Sequence, residues 1–311
     1  MKKIPIVVVA GPTASGKTAL AINIAKKYNG EIVNADSMQI YKFMDIGTAK
    51  PTKEEQREAK HHLLDFVEPD CEFSVADYTE LAHKVIADIY KRGKLPIICG
   101  GTGLYINSVI DDITFGEVKT DNDMREDLGN IAKEQGVEVL MDMLSEFDEE
   151  SAKTIHPNNL RRVIRAIEFY KLTGVPISKH KEMTKQIQSR YNPLMLVIEH
   201  DREKLYERIN LRVDMMLEDG LIDEVKSLLK KGYTKDMNSM KGIGYKEIIS
   251  YLEGDCSIEE AIDAVKLGSR HYAKRQMTWF RRDERVNYID AQQNVAECAY
   301  KLIEEWKNEE L

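Results

Sequence analysis

Short apolar runs alternate with stretches of helical periodicity over the first third of the chain and again over the last third. Ile6 to Val9, Glu31 to Ala35, Leu95 to Cys99, Leu194 to Ile198 and Val286 to Ile289 are largely apolar. Runs of that length and β-branched content read as strands covered on both faces. Ala19 to Tyr28, Asp77 to Lys91 and Leu104 to Val109 carry apolar residues at helical spacing. Residues 42–62 are charged and irregular, apart from a short helix through Ala59 that Thr52 can cap. After the fourth strand, helices are expected from Asp201 to about Leu217, over Leu221 to Lys231, 239–253 and 257–280, and from Val295 to Lys307. Strand–helix alternation with short loops predicts an α/β fold, a parallel sheet flanked by helices on both faces. Between the two thirds the pattern changes at 114–120, and from Asp121 to about Met183 only helices are expected, at 121–135, 136–146, 148–154 and 158–173. Gly174-Val175-Pro176 is read as the stop of the last. The expected organisation is a core over 1–117, an all-helical insertion over 118–191, and a return to the core over 192–311.

Composition narrows this picture. The chain has 311 residues, 42% of them hydrophobic, enough for a sizeable core. No apolar run approaches membrane-spanning length, so no membrane association is expected. The first strand begins almost at Met1, and a cleaved leader would remove it, so a cytoplasmic protein is expected. The four cysteines, Cys71, Cys99, Cys256 and Cys298, form no C-x-x-C pair and read as reduced, mostly buried thiols. Net charge is −8, which by itself argues against nucleic acid. Its distribution argues the other way. Residues 160–190 hold Arg161, Arg162, Arg165, Lys171, Lys179, Lys181, Lys185 and Arg190 against Glu168 and Glu182. Residues 265–285 hold Lys266, Arg270, Lys274, Arg275, Arg281, Arg282 and Arg285 against Asp283 and Glu284. Two basic islands on an acidic body are either a polyanion surface or two solvated helix faces.

The strongest chemical signal follows the first strand. Gly11-Pro12-Thr13-Ala14-Ser15-Gly16-Lys17-Thr18 is a glycine-bounded phosphate loop with the required strand before it and helix after it. Its N–H groups and the helix N-terminus turn partial positive charge toward one point. Lys17 adds a full charge, and Thr18 offers a hydroxyl to a bound metal. Asp36 ends the second strand and can be a metal ligand through water, a general base or a turn cap. Gly100-Gly101-Thr102-Gly103 ends the third strand, where Thr102 can bond a ligand oxygen or cap the next helix. No carboxylate follows that strand, which weakens a motor or GTPase reading. Arg202, Arg208 and Arg212 lie on the helix after the fourth strand, as phosphate clamps or as surface partners of neighbouring acids. Residues 269–282 interleave cations with Trp279 and Phe280, suited to RNA or to packing Trp279 in the core.

Several segments together resemble the bacterial tRNA dimethylallyltransferase (tRNA isopentenyltransferase) family. They are 11–18, Asn34-Ala-Asp-Ser-Met-Gln-Ile-Tyr41, Gly47-Thr-Ala-Lys-Pro51, Gly100-Gly-Thr-Gly-Leu-Tyr105, 155–166, Lys241-Gly-Ile-Gly-Tyr-Lys246 and Arg275-Gln-Met-Thr-Trp-Phe-Arg-Arg282. The resemblance implies transfer of a dimethylallyl group from dimethylallyl diphosphate to the exocyclic amine of the adenosine 3′ of the anticodon. It implies Asp36 as general base, Thr102 at the bridging oxygen and target base, and Arg212 on the developing diphosphate. Gly11 to Thr18 would hold the diphosphate, with Mg²⁺ near Thr18. Asp36, Ser37, Met38 and Gln39 would receive a flipped base. The tRNA anticodon stem-loop would meet Met124, Arg125, Arg161, Arg162 and Arg165 in the insertion. Lys241, Gly242, Ile243, Gly244, Tyr245 and Lys246 would also meet it, as would Thr102, Lys274, Arg275 and Arg281. The protein is expected to act as a monomer. The competing reading from the residues is a phosphoryl-transfer kinase acting on a small acceptor.

Overall fold

The computed structural model describes residues 3–113, 121–185 and 188–309. The chain divides into two compact units, 1–110 with 190–311, and 111–189. The expected boundary at 117–118 lies outside the described residues.

The first unit holds six strands: β1 (Ile4–Ala10), β2 (Gly30–Asn34), β3 (His61–His62), β4 (Leu95–Gly100), β5 (Tyr191–Glu199) and β6 (Val286–Asp290). They form one all-parallel sheet in the order β3-β2-β4-β1-β5-β6. Its helices are α1 (Lys17–Tyr28), α2 (Lys53–Glu58), α3 (Val75–Lys91) and α4 (Gly103–Ile110), then α10 (Arg202–Glu218), α11 (Leu221–Lys230), α12 (Tyr245–Glu253), α13 (Ile258–Phe280) and α14 (Val295–Glu309). Alternate strand residues feed two cores. Ile6, Val8, Val33, Ile98, Met195 and Val197 pack with α3, α4 and Phe280 of α13. Val7, Val9, Ile32, Ile97, Leu196 and Ile198 pack with α1 and α14 on the opposite face. Burial on both faces is why the strands read as continuous apolar runs. A third core joins Ile40, Tyr41, Met44 and Val67 to α11 and α12.

The second unit is all-helical: α5 (Asn122–Gln135), α6 (Val137–Phe147), α7 (Glu149–Thr154), α8 (Leu160–Thr173) and α9 (Ile177–Lys185). Leu128, Leu140, Leu144, Val163, Ala166 and Ile167 form its core.

Several expectations need correction. The charged stretch 42–62 ends in β3, which pairs His61 with Ile32 and His62 with Val33. Residues 239–253 are not one helix: a 3₁₀ turn over Ser239–Lys241 is separated from α12 by Gly242 to Gly244. α8 stops at Thr173 as expected, with Gly174 in a left-handed turn, and Pro176 then precedes α9, its carbonyl accepting from His180 N–H at 3.0 Å. Thr52 caps α2 as expected, with a reciprocal bond from Glu55. Asp201 stands at the start of α10 but its side chain makes no cap bond; it accepts from Gln292 instead. The thiols are not mostly buried: Cys99 is buried, Cys71 is exposed, and Cys256 and Cys298 lie between.

Candidate active site

The site is built at the C-terminal edge of the sheet. β1 delivers the phosphate loop, β2 ends one residue before Ala35 and Asp36, and β4 leads into Gly101 and Thr102. Ligands of open α/β sheets bind at this edge. In the phosphate loop Gly16 adopts φ 94° and Ala14 φ 61°. The left-handed turn at Gly16 is the one that starts α1 without a side-chain cap, which leaves the first N–H groups of the helix for a ligand.

Three distant side chains hold the loop. Gln276 of α13 accepts from Thr13 N–H at 3.2 Å and donates to Gly101 C=O at 2.9 Å, tying the β1 and β4 loops together. Arg208 of α10 donates to Ala14 C=O at 2.8 Å. His200 pairs with Ser15 C=O at 3.0 Å. His200 carries no signal in the sequence, and Gln276 is marked there only as part of the 275–282 segment, because the partners of both are far away in the chain. Ser15 Oγ is buried without a hydrogen-bond partner, an acceptor and donor left available inside the loop.

The charges around the loop are unbalanced. Among the described residues Lys17 Nζ donates only to Pro12 C=O, at 3.3 Å. Desolvation holds its ammonium below the ordinary lysine pKa and Arg212 lowers it further, while Cys99 and Asp36 pull it up. Arg212 is likewise lowered by desolvation and by Arg208, with Asp36 and Glu55 opposing. Arg212 makes no ion pair among the described residues. Lys17, Thr18, Arg208 and Arg212 line one cavity of about 670 Å³ with the apolar Ile46, Ala49, Pro51, Leu211 and Met215, and with Lys50, Lys53 and the carboxylates Asp45, Glu55, Asp65 and Asp219. Desolvated cations beside an apolar wall suit an anionic head with a short hydrocarbon attached.

Asp36 Oδ1 accepts from Met38 N–H at 2.9 Å and, more weakly, from Gln39 N–H at 3.4 Å. It therefore caps the turn with one oxygen; the other takes no hydrogen bond among the described residues. Thr102 Oγ1 accepts from Ser37 N–H at 3.0 Å and lies 3.2 Å from Ser37 Oγ. Tyr272 of α13 reaches Thr102; burial, with Asp36 nearby, pushes its phenol up to about 12, so it remains a donor. The segment 36–39 and Thr102 are thus one hydrogen-bonded group. Gln39 Nε2 donates to Thr48 and Ala49 C=O at 3.1 and 2.9 Å, closing the turn that follows.

The residues expected on RNA fall into two sets. Lys274, Arg275 and Arg281 are exposed on α13 or at its end, Arg281 within 3.2 Å of Glu199. Lys241 and Lys246 are exposed, while Tyr245 is 0% exposed in the third core and offers no surface. In the helical unit Arg161 and Arg162 are exposed and make no ion pair among the described residues. Arg125 and Arg165 are instead committed to the buried carboxylate of Glu168, at 2.9 and 2.6 Å. Met124 packs against the helical core. Trp279 is half-buried against the first core, with its Nε1 on Asn107 Oδ1 at 2.8 Å.

Known proteins match this arrangement over nearly the whole chain. A family model described as IPP transferase covers residues 39–283. A tRNA dimethylallyltransferase of Acetivibrio thermocellus is 55% identical, covering 92% of this chain and 91% of its own. One from Thermoanaerobacter sp. (strain X514) is 50% identical over 96% of both chains. The crystal structure of the tRNA isopentenylpyrophosphate transferase of Bacillus halodurans is 45% identical and superposes over the full length of both chains with a TM-score of 0.72. A eukaryotic dimethylallyltransferase crystallised acting on tRNA is 29% identical, with a TM-score of 0.83 over 98% of this chain and 80% of its own. The chain belongs to the IPP transferase family.

Proposed function

We propose that this chain transfers the dimethylallyl group of dimethylallyl diphosphate to the exocyclic N6 amine of the adenosine 3′ of the anticodon in tRNA, releasing diphosphate. The observation that carries the reading is the cavity where desolvated Lys17 and Arg212 meet an apolar wall at the edge that also carries Asp36 and Thr102. A kinase would need an acceptor site for a phosphoryl group, and it leaves the basic face of α13 without a use.

The phosphate loop, Gly11 to Thr18, receives the diphosphate through its N–H groups and Lys17. Arg212 lies opposite as a second cation. As the C1–O bond of the donor breaks, its electron pair passes to the bridging oxygen, and these cations stabilise the growing charge. The adenine amine is a weak nucleophile because its lone pair is shared with the ring. As the N6–C1 bond forms, the amine proton passes to the open oxygen of Asp36. Met38 N–H holds the other oxygen, which fixes the carboxylate's aim. Thr102, held by Ser37 and Tyr272, positions the bridging oxygen and the base. The base reaches this group only out of its stack, against Ser37, Met38 and Gln39.

Mg²⁺ fits the donor set. No cluster of three or more His, Cys, Asp or Glu is placed to hold a metal among the described residues. Thr18 supplies a hydroxyl on the cavity wall, and the remaining ligands would be diphosphate oxygens and water, as Mg²⁺ favours. When bound, the ion would neutralise diphosphate charge.

In the helical unit, 118–191 in the expected division, Arg161 and Arg162 are free to grip anticodon-arm phosphates, while Arg125 and Arg165 shape that surface through Glu168. Lys241, Lys246, Lys274, Arg275 and Arg281 extend the RNA contact, and Gly242 to Tyr245 support it from behind. No helix of the described residues is long and apolar enough to cross a membrane. Asp36→Asn tests the reading. Transfer should fall about 10²- to 10⁴-fold, the range for losing a general base, with tRNA affinity kept. Transfer kept with RNA affinity lost would instead make Asp36 a binding residue.

A further inference from the structure

Two motifs carry no reacting group in the chemistry above: Gly47-Thr-Ala-Lys-Pro51, three of whose residues line the donor cavity, and Tyr245 in the stretch 241–246. The structure joins them through a residue outside both. Glu224 of α11 accepts from three consecutive backbone N–H groups, Asp45 and Ile46 at 2.8 Å on Oε2 and Gly47 at 3.0 Å on Oε1. Tyr245 donates its hydroxyl to Oε1 at 2.7 Å. Burial and the Glu224 charge raise the phenol well above its ordinary pKa, so it stays a donor. The ring of Tyr245 lies against Gly47 so closely that a Cβ there would sit 2.6 Å from ring atoms. Four charge-assisted bonds to one carboxylate are stronger than ordinary turn bonds and rigidify what they hold.

What they hold is a wall of the donor cavity. Asp45, Ile46, Ala49, Lys50, Pro51 and Thr52 line it together with Lys17, Thr18 and Arg212. The far side of the same turn is pinned as well. Lys50 has a side chain only 4% exposed and is bonded to Asp45, Asp65 and Tyr41 C=O at 2.6–2.7 Å. Gln39, next to the group around Asp36, is bonded to Thr48 and Ala49. The turn 45–51 therefore connects the donor cavity to the Asp36 segment, and Glu224 fixes its outer end.

We infer that Glu224, seated on Tyr245, is a positioning residue for the transfer reaction: it sets the 45–47 turn, and through it the donor cavity and the segment that carries Asp36. The inference rests on the transferase reading. Misplacing reacting groups by about 1 Å costs on the order of 10²-fold in rate. Glu224→Ala, Glu224→Gln and Tyr245→Phe form the test, with kcat, KM for dimethylallyl diphosphate, fraction folded and amide exchange of residues 45–47 measured for each.

Glu224→Ala should lower kcat about 10²-fold per folded molecule and speed exchange at 45–47, with β1 and β4 still protected. Glu224→Gln keeps one acceptor oxygen but turns an NH₂ toward the backbone donors, so its loss should be intermediate. Tyr245→Phe leaves the three backbone bonds and should lose a few-fold; it also remains informative if the alanine variant does not fold. Losses that only track the unfolded fraction, or wild-type kcat with faster exchange, overturn the inference. A wild-type protein without transfer in the same assay overturns the functional reading itself, a separate outcome.

Discussion

At the N-terminal edge of the sheet, Glu31 of β2 is 2% exposed, and both of its oxygens are filled. Arg92 donates to each at 2.6 Å, Lys94 to one and His62 to the other at 2.7 Å. These bonds hold the Glu31 carboxyl far below the usual carboxylate range. At the C-terminal edge the same sheet carries Lys17 and Arg212, whose pKa values are lowered because burial is not matched by partners. One end is a satisfied ion network with no task beyond the fold. The other keeps charge exposed to a cavity and gives up stability for it. The difference separates the structural ions of this protein from the functional ones: at one end a buried carboxylate is matched by partly solvated cations, at the other buried cations are left without ion-pair partners among the described residues.

The comparison can be broken most decisively at Arg212. Arg212→Leu should lower kcat about 10²- to 10³-fold, as for removal of a transition-state charge partner, while leaving the melting temperature unchanged or higher. A lower melting temperature would mean that Arg212 is structural after all.

Glu31→Gln should do the reverse. Only Glu31 is buried and its partners Arg92 and Lys94 are partly solvated, so the loss should be about 1–2 kcal/mol of stability, read by denaturant unfolding, and transfer per folded molecule should stay at the wild-type value. Lost activity in fully folded protein would show that the two ends are coupled.

The smallest effect is in the pH dependence. Because the folded pKa of Glu31 lies below its unfolded value near 4.5, its contribution is complete above that value and is lost as pH falls through the folded one. The stability gap between wild type and Glu31→Gln should be flat from about pH 6 to 8 and begin to narrow only below about pH 5. A gap that widens on acidification would contradict the assignment.

How much of this was legible in the sequence depended on how local each interaction is. The phosphate loop was legible because strand, glycines, Lys17 and helix are contiguous. Asp36 and Thr102 were legible as strand-end residues, though only the structure shows Asp36 using one oxygen as a turn cap. Gln276 bridges loops 263 residues from Thr13, and Glu224 acts on backbone N–H groups 177 to 179 residues away. Such bonds leave no periodicity. β3 has two residues, too few for a strand pattern. The end of α8 was legible in Gly174-Val175-Pro176, and α9 starts straight after Pro176, since proline without an N–H suits the start of a helix. Arg165 counted toward a basic surface, and the resemblance put Arg125 on RNA, because burial of Glu168, which neutralises both, is a property of packing.

The central claim is that the cavity lined by Lys17 and Arg212 holds a prenyl diphosphate for transfer to RNA. It is tested most directly by incubating the protein with unmodified tRNA, dimethylallyl diphosphate and Mg²⁺, without ATP, and digesting the product for mass spectrometry. The account predicts one dimethylallyl group on a single adenosine, 3′ of the anticodon. No mass gain across a full tRNA pool, or a product that forms only with ATP, would contradict it.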